Sequence, residues 1–178
     1  INYSQTFNLT RFDATDELKV HIFTNKGEEI MKIVIANDHA GVELKQELKT
    51  YMESLGHEVI NIGTDSTESC HYPEYGRKAA LMVADHQVDL GVLVCGTGVG
   101  ISLSANKTKG IRCGVCSEAT TARLIRQHNN ANMIALGARI VGPELAKDII
   151  DAFLSAEFEG GGRHQLRIDM ISAIENEA

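Results

Sequence analysis

The chain has 178 residues, 43% of them hydrophobic and 23% charged, which is ordinary globular composition and excludes wholesale disorder. A single domain of this length buries ~70% of the surface it exposes when unfolded, so it needs no disulfide or metal staple. Seventeen Lys and Arg against 24 Asp and Glu leave a net charge of -7, which argues against a nucleic-acid surface, because that needs clustered positive charge. A small anion needs only a local group of Arg, His and backbone N–H donors.

No run approaches the ~18 apolar residues that a membrane helix requires. The N-terminus has no apolar stretch behind a basic one, the mark of a secretory signal. Cys70, Cys95, Cys113 and Cys116 therefore read as free thiols in a reducing compartment, and the cytoplasm is the expected location.

Residues 1–30 are polar and weakly patterned and read as an N-terminal extension, with Val20 to Phe23 as a short alternating stretch of edge-strand type. The regular pattern starts near Met31, so residues 31–178 form the expected domain. Lys32 to Ala36 is a near-continuous apolar run, the sign of a strand buried on both faces. Leu44, Leu48, Tyr51, Met52 and Leu55 then recur at helical spacing, and Gly56 ends them. Val59 to Ile62 is a second strand, and Pro73 begins a helix carrying Ala79, Ala80, Met82 and Val83. Leu90 to Val94 is a third strand, running into the glycine-rich segment 95–100 and a short helix over Ile101 to Lys107. A fourth strand over Ile111 to Cys116, a helix over Glu118 to His128 and a fifth strand over Met133 to Leu136 follow. Pro143 opens a helix expected to reach Phe158. Gly160 to Gly162 is a hinge before a last amphipathic helix, Arg163 to Glu175. Strands alternating with helices predict a three-layer α/β/α fold around a five-stranded, parallel, doubly wound (Rossmann-like) sheet.

Ligands of such sheets bind beyond the carboxyl ends of the strands. Those ends carry Asp38 and His39, then Cys95 and Thr97, then Arg139, with His128 expected nearby. A cleft with Asp, His, Cys and Arg suits acid–base chemistry on an anion. The segment Cys95-Gly96-Thr97-Gly98-Val99-Gly100 matches neither a dinucleotide fingerprint nor a Walker loop. It is a run of small residues at a strand-to-helix turn, where several N–H groups can converge on one negative oxygen. Its plain reading is a tight turn. Cys95 reads either as an inert buried thiol or as a base favoured by its place at the start of a helix.

Cys113 and Cys116 are spaced C-x-x-C, but in a strand the two side chains point to opposite faces, and both read as structural. His57, His71 and His86 read as surface residues. Arg163, His164 and Arg167 read as ordinary helix-surface charge or as a phosphate clamp, since the Arg fork matches phosphate oxygens.

Segments 31–41, 95–102, 126–129 and 159–164 together resemble the ribose-5-phosphate isomerase B family, which includes galactose-6-phosphate and allose-6-phosphate isomerases. The resemblance runs from about Met31 to the C-terminus. It implies a metal-free, cofactor-independent aldose–ketose isomerase that works through a cis-enediolate. Cys95 matches the family's general base, and Thr97 the residue assisting proton transfer. The amides of Gly96, Gly98, Val99 and Gly100 match the anion hole. Asp38 and His128 match the pair linked to furanose ring opening. His39, Arg139, Arg163 and Arg167 match phosphate ligands, the last two from a neighbouring subunit. Tyr72 and Asn129 match contacts to sugar hydroxyls. The implied assembly is a homodimer or tetramer with shared active sites, acting on a sugar phosphate and on neither nucleic acid nor membrane. Ribose 5-phosphate is the expected substrate. The competing readings are a six-carbon sugar-phosphate isomerase, a non-catalytic phosphate-binding α/β module and, more distantly, a thiol–disulfide protein.

Overall fold

A computed structural model describes residues 29–177. The expectations for residues 1–28, the Val20–Phe23 strand among them, lie outside the described residues.

Among the described residues five parallel strands form one sheet: β1 (Lys32–Asn37), β2 (Glu58–Asn61), β3 (Leu90–Cys95), β4 (Cys113–Val115) and β5 (Met133–Gly137). Their spatial order is β2-β1-β3-β5-β4. The chain moves outward from β1 to the β2 edge and then returns to start β3 on the other side of β1. This reversal between β1 and β3 opens the crevice in which doubly wound sheets bind ligands. The Ile35↔Val92 and Val94↔Leu136 registers align the three central strands, so their ends reach one level.

Among the described residues six α-helices cover the sheet: α1 (Val42–Ser54), α2 (Tyr72–Ala84), α3 (Val99–Ala105), α4 (Ala119–Asn129), α5 (Pro143–Leu154) and α6 (Gly162–Ile174). The strand residues alternate between two cores. Ile33, Ile35, Val92, Val94, Ile134 and Leu136 pack with α1 and α5 on one face. Val34, Ala36, Leu93, Cys95, Met133 and Ala135 pack with α2 and α3 on the other. Burial of both faces explains why these strands read as unbroken apolar runs.

The element ends differ from the expected ones for local reasons. The helix α5 stops at Leu154 rather than Phe158: the Ser155 N–H donates to the Asp151 carbonyl at 3.0 Å, and the chain then leaves the helix for α4, where the Glu159 N–H donates to the Gln127 carbonyl at 2.9 Å. The fourth strand keeps only Cys113–Val115 in strand geometry. The opposite-face expectation for the C-x-x-C pair holds: Cys113 belongs to the α2/α3 core and Cys116 to the α1/α5 core. His57 corrects the surface assignment, since it is buried and its Nδ1 accepts the Met31 N–H at 3.3 Å, joining the starts of β1 and β2. His71 and His86 are exposed. The amphipathic expectation for α6 is only partly met within the chain: Ile168 is buried, while Leu166, Met170, Ile171 and Ile174 face outward. Among the described residues no helix is long and apolar enough to cross a membrane.

Candidate active site

The centre of the site is the exit of β3. Cys95 is its last residue and lies buried, and the Gly98 N–H donates to its Sγ at 3.1 Å. That bond requires the chain to fold back within three residues, which Gly98 permits with a φ of +79°, a region side chains avoid. The Val99 N–H donates to Thr97 Oγ1 at 3.4 Å, and Thr97 itself is exposed at the top of the turn.

The end of β5 buttresses this turn. Ala138 N–H donates to the Cys95 carbonyl at 2.8 Å and Arg139 N–H to the Gly96 carbonyl at 3.0 Å. A methyl group on Gly137 would lie 2.8 Å from the Thr97 carbonyl carbon, so the two segments touch backbone to backbone. The Arg139 guanidinium rests against Gly96, 3.5 Å from where a side chain there would start. A cation therefore lies beside the glycine turn.

The end of β1 forms the adjoining wall. Asp38 is buried, its N–H donating to the Val94 carbonyl at 3.2 Å, and its Oδ1 accepts the Ala40 N–H at 3.0 Å. The carboxylate is thereby oriented by the backbone that follows it. Asn37 fixes the same corner by donating to the Asp38 and Thr64 carbonyls at 2.8 and 3.0 Å. His39 Nδ1 accepts the Cys70 N–H at 3.3 Å, leaving Nε2–H as the ring's donor. The Tyr72 ring lies over Gly100, where a methyl group would come within 2.6–3.0 Å of it. A cleft of about 350 Å³, lined by His39, Glu43, Thr67, Ala138 and Pro143 among others, opens beside these groups.

Asp38, His39, Tyr72, Cys95, Thr97, the glycine turn and Arg139 thus gather at one edge of the sheet, as expected. His128 and Asn129 do not join them within the chain. They end α4, where Asn129 and Asn130 carbonyls accept from Arg112 just before β4 and Ala131 leads into the start of β5. That is the opposite edge of the sheet, about 13 Å away along β5 at ~3.3 Å per residue. The reason is directional: a crossover helix runs antiparallel to the strands, so its C-terminus returns to their beginnings. Arg163 and Arg167 are exposed on α6, which packs on α4. His164 stacks on His128 with ring centroids 4.4 Å apart. The four residues His128, Asn129, Arg163 and Arg167 therefore form a second cluster. His164 and Glu159 belong to that cluster too, and only their place beside His128 in the folded chain reveals it.

A sequence model of the ribose/galactose isomerase family matches residues 33–171. The chain belongs to that family. It is 54% identical over 144 residues to ribose-5-phosphate isomerase B of Escherichia coli, covering 81% of this chain and 96% of that protein. It is 47% identical over 129 residues to the galactose-6-phosphate isomerase subunit LacB of Clostridium acetobutylicum, covering 72% and 75% of the two chains. The solved structure of Clostridium thermocellum ribose-5-phosphate isomerase B superposes with a TM-score of 0.81 at 48% identity, over 83% of this chain and 99% of that one. The fold read from the strand pattern is thus the fold of the family, and the family is the one the four sequence segments resemble.

Proposed function

We propose that the protein interconverts ribose 5-phosphate and ribulose 5-phosphate, with Cys95 as the general base. The observation that carries the proposal is the buried Cys95 sulfur, held by Gly98 N–H at 3.1 Å in a turn of small residues beside Arg139.

In this reading the Cys95 thiolate removes the C2 proton of the open-chain aldose. The C2–H electrons form the C1–C2 double bond, and the carbonyl electrons move onto O1. The α-proton of a sugar is weakly acidic, so charge on O1 needs preorganised donors, which the amides of the Gly96–Gly100 turn supply. The Cys95 thiol then returns the proton to C1, and Thr97 assists the transfer of the O2 hydroxyl proton to O1, leaving a ketone at C2. Asp38 and His128 serve the earlier opening of the furanose ring. His39, through Nε2–H, and Arg139 hold phosphate, joined by Arg163 and Arg167, while Tyr72 and Asn129 contact sugar hydroxyls.

Because His128, Asn129, Arg163 and Arg167 sit at the far edge of their own chain, these roles require a second subunit. The working unit is a homodimer in which the α4–α6 cluster of one chain completes the Cys95 site of the other. Support comes from the apolar side chains that α6 leaves outward: Leu166 and Met170 are each 61% exposed and Ile174 64%, at i, i+4 and i+8 on one stripe. Val99 and Leu103, 49% and 60% exposed on α3, add apolar surface next to the catalytic turn. Four free thiols suit a reducing cytoplasm.

The test is turnover of ribose 5-phosphate by the purified protein beside Cys95→Ala. Loss of a positioned base lowers the rate by about 10²–10⁴, with binding kept. Binding without turnover by the unmodified protein would direct the search to six-carbon sugar phosphates, the substrate class in the LacB relative's name. Neither binding nor turnover on any sugar phosphate would overturn the reading.

A further inference from the structure

His128, Glu159 and His164 make a cluster that isomerisation uses only through His128. His128 ends α4, and His164 lies in the first turn of α6. Glu159 sits in the link between α5 and α6, tied to α4 by its N–H donating to the Gln127 carbonyl at 2.9 Å. The two imidazoles stack nearly parallel, 9° apart, and one ligating atom from each of the three residues lies within 4.8 Å of the others.

Two imidazole nitrogens and one carboxylate oxygen are a zinc donor set that leaves a fourth position open. Tetrahedral bonds of ~2.0–2.2 Å separate ligand atoms by about 3.3–3.5 Å, so closing on a cation brings the side-chain ends together by about 1 Å and turns the two rings out of their stack, because each imidazole lone pair lies in its ring plane. The adjoining link, Gly160 to Gly162, has no Cβ atoms to restrict its backbone, so it can follow such a rearrangement. The neighbouring Arg163 and Arg167 guanidiniums oppose a bound cation while Glu159 offsets them, which fits a reversible site rather than a structural one.

We propose that His128, Glu159 and His164 form a transition-metal site suited to Zn²⁺, and that its occupation withdraws His128 from ring opening and slows the enzyme. Metal binding stands on the cluster geometry; the loss of turnover rests on the isomerase reading above.

The experiment uses the full chain, dialysed metal-free, and calorimetric titration with Zn²⁺. The expected result is saturable binding that Glu159→Gln and His164→Ala each weaken by at least ~10–100-fold, the loss that even an outer-shell partner brings. Co²⁺ should bind with no thiolate-to-metal absorption band. Absence of saturable binding, binding unchanged in both variants, or a thiolate band would overturn the site. In parallel, Zn²⁺ should depress ribose 5-phosphate turnover of the unmodified protein, a chelator should restore it, and His164→Ala should resist the metal. Zinc bound through the cluster without effect on an active enzyme would refute the withdrawal of His128. Zinc binding to a protein inactive on sugar phosphates would uphold the site and count against the isomerase reading.

Discussion

The backbone N–H of Gly98 points at the sulfur of Cys95 from 3.1 Å, and it does so because Gly98 holds a φ of +79°. An alanine there is strained by about 1–3 kcal/mol, and its methyl would also lie 3.0 Å from the Leu136 carbonyl carbon. Gly98→Ala is expected to lower stability by that amount in a denaturant titration. It should also lower kcat by ~100-fold, the cost of misplacing a reacting group by about 1 Å. A variant with unchanged kcat would show that the turn's shape does not set the position of the sulfur.

Gly100 and Tyr72 make a second pair that a double-mutant cycle can examine. A methyl on Gly100 would come within 2.6–3.0 Å of the Tyr72 ring, and that ring is 40% exposed and free to swing aside. Gly100→Ala is thus expected to raise KM while barely changing the melting temperature. In a Tyr72→Ala background the same change should have little further effect on KM, because the clash is gone. Full additivity of the two would contradict the contact.

Lys45 lies fully buried and forms an ion pair with the exposed Asp65. The side-chain hydrogen bond from Lys45, then its charge, holds the Asp65 carboxyl below its usual pKa. The folded carboxyl is harder to protonate than the unfolded one, so its contribution is full above the unfolded value, ~3.9. It is lost as pH falls through the lower folded value. Asp65→Asn should flatten that part of the acid limb of stability against pH. Removing one member of a pair strands the other's charge, whereas replacing a buried cation by an apolar residue of similar volume does not. Asp65→Asn is therefore expected to destabilise more than Lys45→Met at neutral pH, and the reverse order would count against the pairing.

Cys113 and Cys116 are structural. Burial raises both thiols, Cys116 to about 12 with Glu118 adding to the effect, and Cys113 further in the same direction with help from Cys116. Neither supplies thiolate at neutral pH. A thiol reagent at pH 8 should leave both unlabelled in the native protein and react only after unfolding, as followed by peptide mapping. Rapid native labelling of both would revive a thiol–disulfide role.

The sequence was most informative where physics is local. Apolar runs such as Ile33–Ala36 and Leu90–Val94 announced strands buried on both faces, and the proline at Pro143 marked a helix start. The residues just past those strands, Asp38, His39, Cys95, Thr97 and Arg139, needed only the parallel topology to be brought together. Nothing in spacing alone says that α4 returns His128 to the other edge, because that follows from helix direction relative to the sheet. The burial of His57 was equally hidden, since its partner, the Met31 N–H, is 26 positions away. The association of Glu159 and His164 with His128 likewise depends on how α6 folds back on α4.

The most direct measurement of the account mixes two inactive variants, Cys95→Ala and His128→Ala, after reversible dissociation. If one chain supplies Cys95 and the other His128, each hybrid dimer contains one intact site. Random re-association makes half of the dimers hybrid, so the mixture should recover about a quarter of the unmodified activity on ribose 5-phosphate. A double variant carrying both changes, mixed with unmodified chains, should gain no such excess. Failure of the two single variants to restore turnover, with hybrid dimers present, would contradict a site built from two chains.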